Sequence, residues 1–186
     1  MTLPVSIPAT RHSSSVVAHV AEIDTPIGEM IAAATETHLL LFEFARRRTL
    51  EHAARATGAQ FEPGDSPILD QLRTELAEYF AGRRRSFDVP LRTPGTDFQM
   101  RVWEELRRIP YGTTTSYGRL AIAVGNASAV RAVARANGDN RIAIVIPCHR
   151  VIGSDGSLTG YGGGLWRKKK LLDLEAGVDS PRLPGL

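Results

Sequence analysis

Cys148 is the only cysteine in the chain, and His149 follows it directly. A thiol attacks as the thiolate, and free cysteine is barely ionised near neutral pH. A neighbouring imidazole raises that fraction by taking the proton, provided a third group orients the ring. Glu175 is the carboxylate that a last helix folding back would bring to His149; without that fold it reads as a surface residue. The pair comes straight after Ile144-Val145-Ile146-Pro147. A β-branched run closed by proline predicts a buried strand ending where the pair begins. Chemistry is often mounted at such an exit. The plainer reading is a small buried cysteine beside a structural histidine, because free cysteine is commonly buried and inert.

The elements around the pair must position it. Arg92-Thr93-Pro94-Gly95 is a breaker cluster and marks a domain boundary. Thr96-Asp97-Phe98-Gln99 has the form of a capping box and opens a helix with Phe98, Val102, Leu106 and Ile109 on one face. Pro110-Tyr111-Gly112 stops it. Ser116 caps a second helix through Val124, and Gly125 lies just beyond its end. Ser128 caps a third, running to Ala136. Two short helices joined by a glycine-containing turn form a helix-turn-helix pattern. The third helix is slim at Ala129, Ala132, Ala134 and Ala136, with Arg131 and Arg135 one turn apart. Beyond the cysteine, Gly160-Tyr161-Gly162-Gly163-Gly164 is a glycine-rich loop whose backbone can approach a ligand closely. Trp166 to Leu174 predicts the last helix.

The first half reads as scaffold. Val16–Ile23, Met30–Ala34 and Leu39–Phe44 predict a small antiparallel meander. Helices are expected over Leu50–Gly58 and Ile68–Phe80, the second with Leu69, Leu72, Leu76 and Phe80 on one face; Phe87–Leu91 is a short extended piece. Residues 1–14 form a loose tail. His12, His19, His38 and His52 are scattered and read as surface or satisfied residues.

One cysteine excludes an internal disulfide and a cysteine-based zinc cluster, and fits a reducing, cytoplasmic setting. No stretch has the length of a membrane span and no signal peptide opens the chain, so no membrane partner is expected. The net charge is only +3, but basic residues cluster at Arg46-Arg47-Arg48, Arg83-Arg84-Arg85, Arg107-Arg108 and Arg167-Lys168-Lys169-Lys170. Such runs raise nucleic acid as a partner.

Pro147-Cys148-His149-Arg150-Val151 resembles the signature of the O6-alkylguanine-DNA alkyltransferases, the methylated-DNA–protein-cysteine methyltransferases. Arg131-Ala132-Val133, Asn140, Tyr161, Gly163-Gly164-Leu165 and Glu175 fall where that family places them. Ile109-Pro110-Tyr111-Gly112, Ser116-Tyr117 and Thr25-Pro26-Ile27-Gly28 match as well. The resemblance is dense in the second half and looser in the first.

It implies an α+β fold. Residues 1–92 would form an antiparallel-sheet domain with helices, ribonuclease H-like, and residues 93–186 a mainly helical domain with a winged-helix-like helix-turn-helix. It implies irreversible, single-turnover transfer of the alkyl group from O6-alkylguanine, and from O4-alkylthymine, to Cys148. His149 would draw the thiol proton through a water, with Glu175 orienting the imidazole. Asn140 would tie the recognition helix to the cysteine turn, and Tyr117 would donate to the departing ring. Arg131 would enter the base stack, with Ala132, Arg135 and Val151 among the DNA and substrate contacts. Tyr161, Gly162 and Gly163 would wall the base pocket. The expected partner is double-stranded alkylated DNA held by its minor groove by a monomer, with clustering along DNA left open. No cofactor and no metal are expected, since the zinc ligands of some relatives are missing. The transcription-regulatory module of some bacterial relatives is not seen, which implies repair alone. Gly162 stands where some relatives have serine, and Arg141 where proline is usual in some. A competing reading of the Cys-His pair is a cysteine hydrolase, which would turn over; another is a lesion binder without transfer.

Overall fold

The computed structural model describes residues 16–44 and 49–178. The loose tail expected over residues 1–14, the Arg46-Arg47-Arg48 run, His12 and the side chain of His52 lie outside the described residues. The N-terminal half is built on strands β1 (Val17–Ile23), β2 (Met30–Ala34) and β3 (Leu39–Phe44), paired antiparallel as the alternation predicts. A fourth strand, β4 (Gln60–Pro63), was not legible in the sequence. Helix α1 (Thr49–Thr57) carries the chain back across the sheet, so β4 joins β1 in parallel and the order is β3-β2-β1-β4. The sheet is therefore mixed rather than purely antiparallel. Pro63 is tolerated because β4 is an edge.

Helix α2 (Pro67–Phe80) starts at Ser66, whose hydroxyl accepts from the Leu69 amide. It buries Leu69, Leu72, Leu76 and Tyr79; Phe80, expected on that face, is only half-buried. The 3.6-residue turn carries the stripe to position 79, one short of where the leucine spacing alone points. Phe87–Leu91 is no strand: it contributes a single bridge, Leu91 beside Leu39.

In the C-terminal half, α3 (Asp97–Arg107) has both hydrogen bonds of the capping box at Thr96 and Gln99. Its buried face is Val102, Trp103 and Leu106, and the Trp103 indole donates to the Ala136 carbonyl at 2.8 Å. That bond seats α3 on α5 (Val130–Gly138). Helix α4 (Tyr117–Ala123) is capped by Ser116 as predicted. Ser128 does not cap α5: its hydroxyl goes to the Asn126 side chain, and Ala129 stands at the N-cap with no side-chain bond. A two-stranded parallel ladder joins β5 (Thr115–Ser116) to β6 (Val151–Ile152), and α6 (Leu165–Glu175) closes the fold.

The two halves share one apolar core, running from Ile23 on the sheet through α2, α3 and α5 to Leu171 on α6. The segment 141–146 passes through its middle. Among the described residues no helix is long and apolar enough to cross a membrane.

Candidate active site

The apolar run before the cysteine is not a strand. Ile144 has φ 70°, and the chain doubles back so that the Ile146 amide donates to the Ile142 carbonyl at 2.9 Å. A β-branched residue in the left-handed region is strained, and such strain gathers at functional sites. Two sets of bonds hold the turn. Phe42 on β3 exchanges backbone hydrogen bonds with Arg141 and Ala143, at 2.8 and 2.7 Å. Asn140 accepts from the Ile142 amide and donates to the Ile146 carbonyl at 2.9 Å. The run is apolar because it is buried between the halves, and periodicity alone does not separate that from a strand. Asn140, one residue past the C-cap of α5, thus couples that helix to the cysteine turn.

Cys148, His149 and Arg150 form a single 3-10 turn, all buried. Cys148 is 6% exposed and faces a cavity of about 460 Å³. Tyr117, Tyr161, Gly162 and Gly163 line the same cavity, together with Ala134 and Asn137 of α5 and Glu43 and Phe44 of β3. Arg131, Ala132 and Arg135 are exposed on α5 and do not line it. Val151 is fully buried in β6, away from the lining, and its carbonyl accepts from Lys168.

The last helix brings Glu175 to His149: Nε2 lies 2.8 Å from Oε1. Glu175 gathers further donors. Arg150 reaches Oε2 through Nε and Oε1 through Nη2, each at 2.9 Å; Tyr79 donates to Oε1 at 2.7 Å and the Gly112 amide to Oε2 at 3.1 Å. Burial alone would push this carboxyl up, but the bonds from His149 and Arg150 hold it at about 2. An ionised carboxylate only accepts, so His149 Nε2 must carry the proton and Nδ1 is left bare. His149 Nδ1 is buried and makes no hydrogen bond within the protein. Burial lowers the His149 pKa below its ordinary value, outweighing the pull of Glu175, so the ring rests neutral. Burial also pushes the Cys148 thiol up, against the Asn140 side chain and the Lys168 cation, which pull it down. The resting pair is therefore thiol and neutral imidazole.

Two members of the basic run on α6, Arg167 and Lys168, turn out structural. Arg167 lies between the rings of Phe44 and Trp166, 4.5 and 4.4 Å from their centroids, and donates to the Ile27 and Gly163 carbonyls. Lys168 is fully buried, donates to the Val151 and Thr159 carbonyls, and is lowered by burial to about 8. Lys169 pairs with Asp173. In the Arg83-Arg84-Arg85 run, Arg84 is engaged with Glu78 and Asp88. Neither run is simply a solvated basic face. Several contributors escaped the sequence reading: Tyr79, Gly112, the Arg150 side chain and Lys168 around the relay, and Glu43, Phe44 and Asn137 in the cavity wall. For Arg150 a signal existed, since it adjoins His149; for Tyr79 the only hint was its place one turn after Leu76. Among the described residues no cluster of three or more His, Cys, Asp or Glu could hold a metal ion.

Two family models match the chain: the ribonuclease-like domain of 6-O-methylguanine DNA methyltransferase over residues 19–93, and the DNA binding domain of the same over residues 97–177. The methylated-DNA–protein-cysteine methyltransferase of Mycolicibacterium paratuberculosis is 58% identical over 82% of this chain and 89% of its own length. The constitutive enzyme of that name in Bacillus subtilis is 42% identical over 80% and 89%. Among solved structures, the Mycobacterium tuberculosis O6-methylguanine methyltransferase superposes with a TM-score of 0.75 at 42% identity, covering 91% of this chain and 97% of that one. The Mycobacterium tuberculosis OGT in complex with DNA gives 0.73 at 46% identity, covering 86% and 93%.

Proposed function

The chain belongs to the 6-O-methylguanine DNA methyltransferase family, and from that premise we propose how its own residues carry the reaction. The activity is that of the family: repair of DNA by direct reversal, with a methyl group on DNA passing to a cysteine of the protein. DNA is the partner.

Cys148 is the acceptor. The observation that carries this assignment is a sulfur facing a cavity while its neighbour His149, locked by Glu175, keeps a bare Nδ1. In the reaction the S–C bond forms as the bond from carbon to O6 of guanine breaks, in line. The thiol proton goes through a water to Nδ1 of His149, and Glu175 stabilises the imidazolium. Tyr117 gives a proton to the departing ring and regains one from His149 through solvent, so the net proton passes from thiol to guanine. Because burial raises the thiol, Cys148 rests protonated and depends on the relay to take its proton. A thioether has no easy hydrolysis route, so each molecule acts once.

The division of labour follows the two halves: residues 93–186 for DNA and alkyl transfer, residues 1–92 as a scaffold that also lends Glu43 and Phe44 to the cavity wall. The target atom is closed off inside a duplex, so the nucleotide is flipped into the cavity. Arg131 fills the place it leaves, Ala132 lets α5 approach the minor groove closely, and Arg135 reaches phosphate. Tyr161, Gly162 and Gly163 wall the base, and Lys168 ties the Val151 carbonyl to that of Thr159, just before this loop. O4-alkylthymine is a second substrate. The protein works as a monomer in the cytoplasm.

Incubation with duplex DNA carrying O6-methylguanine tests the assignment. One methyl group per protein, located on Cys148 by mass spectrometry with one lesion lost for each, is the expected result. Methylation elsewhere, or many lesions lost per molecule, would overturn it.

A further inference from the structure

Nothing in the N-terminal half has the spacing of an active site, yet one of its side chains touches the relay. Tyr79, at the end of α2, is fully buried and its hydroxyl lies 2.7 Å from Glu175 Oε1, across 96 positions of sequence. Oε1 is also the oxygen that accepts from His149 Nε2. Core packing does not require that hydroxyl. The ring is already held by Phe80, Phe87 and Tyr111, with centroids 5.3, 5.4 and 6.0 Å away. A phenol in a dry core needs a partner, and many carbonyls would serve. This one has taken the catalytic carboxylate.

We propose that Tyr79 is a positioning residue for the alkyl transfer: it fixes the rotation of the Glu175 carboxylate and draws charge from Oε1, so that His149 is a weaker base than a simple His–Glu pair would be. This rests on the relay proposed above. A donor at an anionic oxygen spreads its charge and lowers its proton affinity. What Oε1 gives to Tyr79 it does not give to the imidazolium. Tyr79 can fill this role at every working pH, because burial, with the neighbouring Glu175, pushes its phenol well above the ordinary value. Other charged and titratable groups face the relay, and Lys168, held at about 8, loses its charge only on the alkaline side of the profile. Arg150 and Lys168 bear on His149 from its own turn and from α6, Cys148 precedes it, and Tyr111, with Arg85 over its ring, packs on the Glu175 side. Tyr79 and Arg85 are what the first half adds to this set, and Tyr79 is the one that hydrogen-bonds Glu175, which places His149 under the control of how α2 docks.

The test compares single-turnover transfer rates against pH for the wild type, Tyr79→Phe, Glu175→Gln, His149→Asn and the Tyr79→Phe/Glu175→Gln double variant. Phenylalanine keeps the ring contacts, and near-UV circular dichroism checks that the core is unchanged. In Tyr79→Phe the acidic limb of the profile moves to higher pH by about half a unit, the share of a charged hydrogen bond that the imidazole would feel. The plateau falls about threefold as the carboxylate loosens. Nitrogen NMR of the His149 ring moves in the same direction. In the Glu175→Gln background the same substitution moves the limb no further. A merely structural tyrosine would lower the melting temperature and leave the limb and the ring titration where they were, and that result overturns the proposal. The His149→Asn control separates the failures. If it transfers at the wild-type rate, the relay itself is wrong and Tyr79 falls with it; if it is inactive while Tyr79→Phe keeps the wild-type limb, only the role of Tyr79 is refuted.

Discussion

Glu175 shows how far one residue's meaning depends on its surroundings. In sequence it is one more acid near the end of a helix; in the fold, two oxygens satisfy donors from α2, the turn after α3, and the cysteine turn. Its ionised form is worth stability only while it stays ionised. The folded value of about 2 lies below the ordinary 4.5, so that stability is complete above pH 4.5 and is lost as pH falls toward 2. We expect acid unfolding monitored by circular dichroism to steepen in that window and Glu175→Gln to flatten it. The same variant leaves Arg150 buried beside a neutral amide and frees the His149 tautomer. Stability in urea should fall by about 3–5 kcal/mol, the cost of breaking a buried pair from one side. Transfer at neutral pH should fall about a hundredfold or more.

At the scale of elements, the glycine-rich loop is held by what lies behind it. A Cβ on Gly163 would stand 2.4 Å from the Phe44 ring, so this residue is glycine for lack of room. Arg167 then ties the Gly163 carbonyl to the Ile27 turn while stacked on Phe44. The wall of the cavity therefore depends on a strand of the other half. Gly163→Ala should displace that wall and slow transfer about tenfold, with affinity for undamaged duplex unchanged. A smaller side chain at Phe44 should recover part of the loss; kinetics of the Gly163→Ala/Phe44→Leu pair against the single variant measures it. The capping box at Thr96 and the cap at Ser116 were legible because a cap needs only residues a few positions apart. The cap expected at Ser128 failed because Asn126 competes for the same hydroxyl.

At the scale of the whole molecule, the largest cluster of buried apolar residues spans both halves, and the 141–146 turn is pinned to Phe42 of β3. Two layers that share a core and a buried polar hub should unfold together. We expect far-UV circular dichroism and tryptophan fluorescence to give the same midpoint in urea, although Trp103 and Trp166 both lie in the C-terminal half. Separate midpoints would show that the halves are energetically independent. The shared core also explains why a scaffold reading of the first half was incomplete: Tyr79 and Phe44 reach the site only through docking.

Chemistry written in adjacent or regularly spaced residues could be read from the chain alone. Cys148 beside His149, the caps of α3 and α4, the slim arginine-bearing helix and the meander are of this kind, because their causes are sterics and hydrogen bonds within a few residues. Tertiary structure alone decided the rest. It turned an apolar run into a strained turn at Ile144, buried Lys168 out of a run that looked solvated, and set Tyr79 on the carboxylate of a helix 96 residues away. In each case the partner is distant in sequence, and the low dielectric of a shared interior is what gives the contact its force.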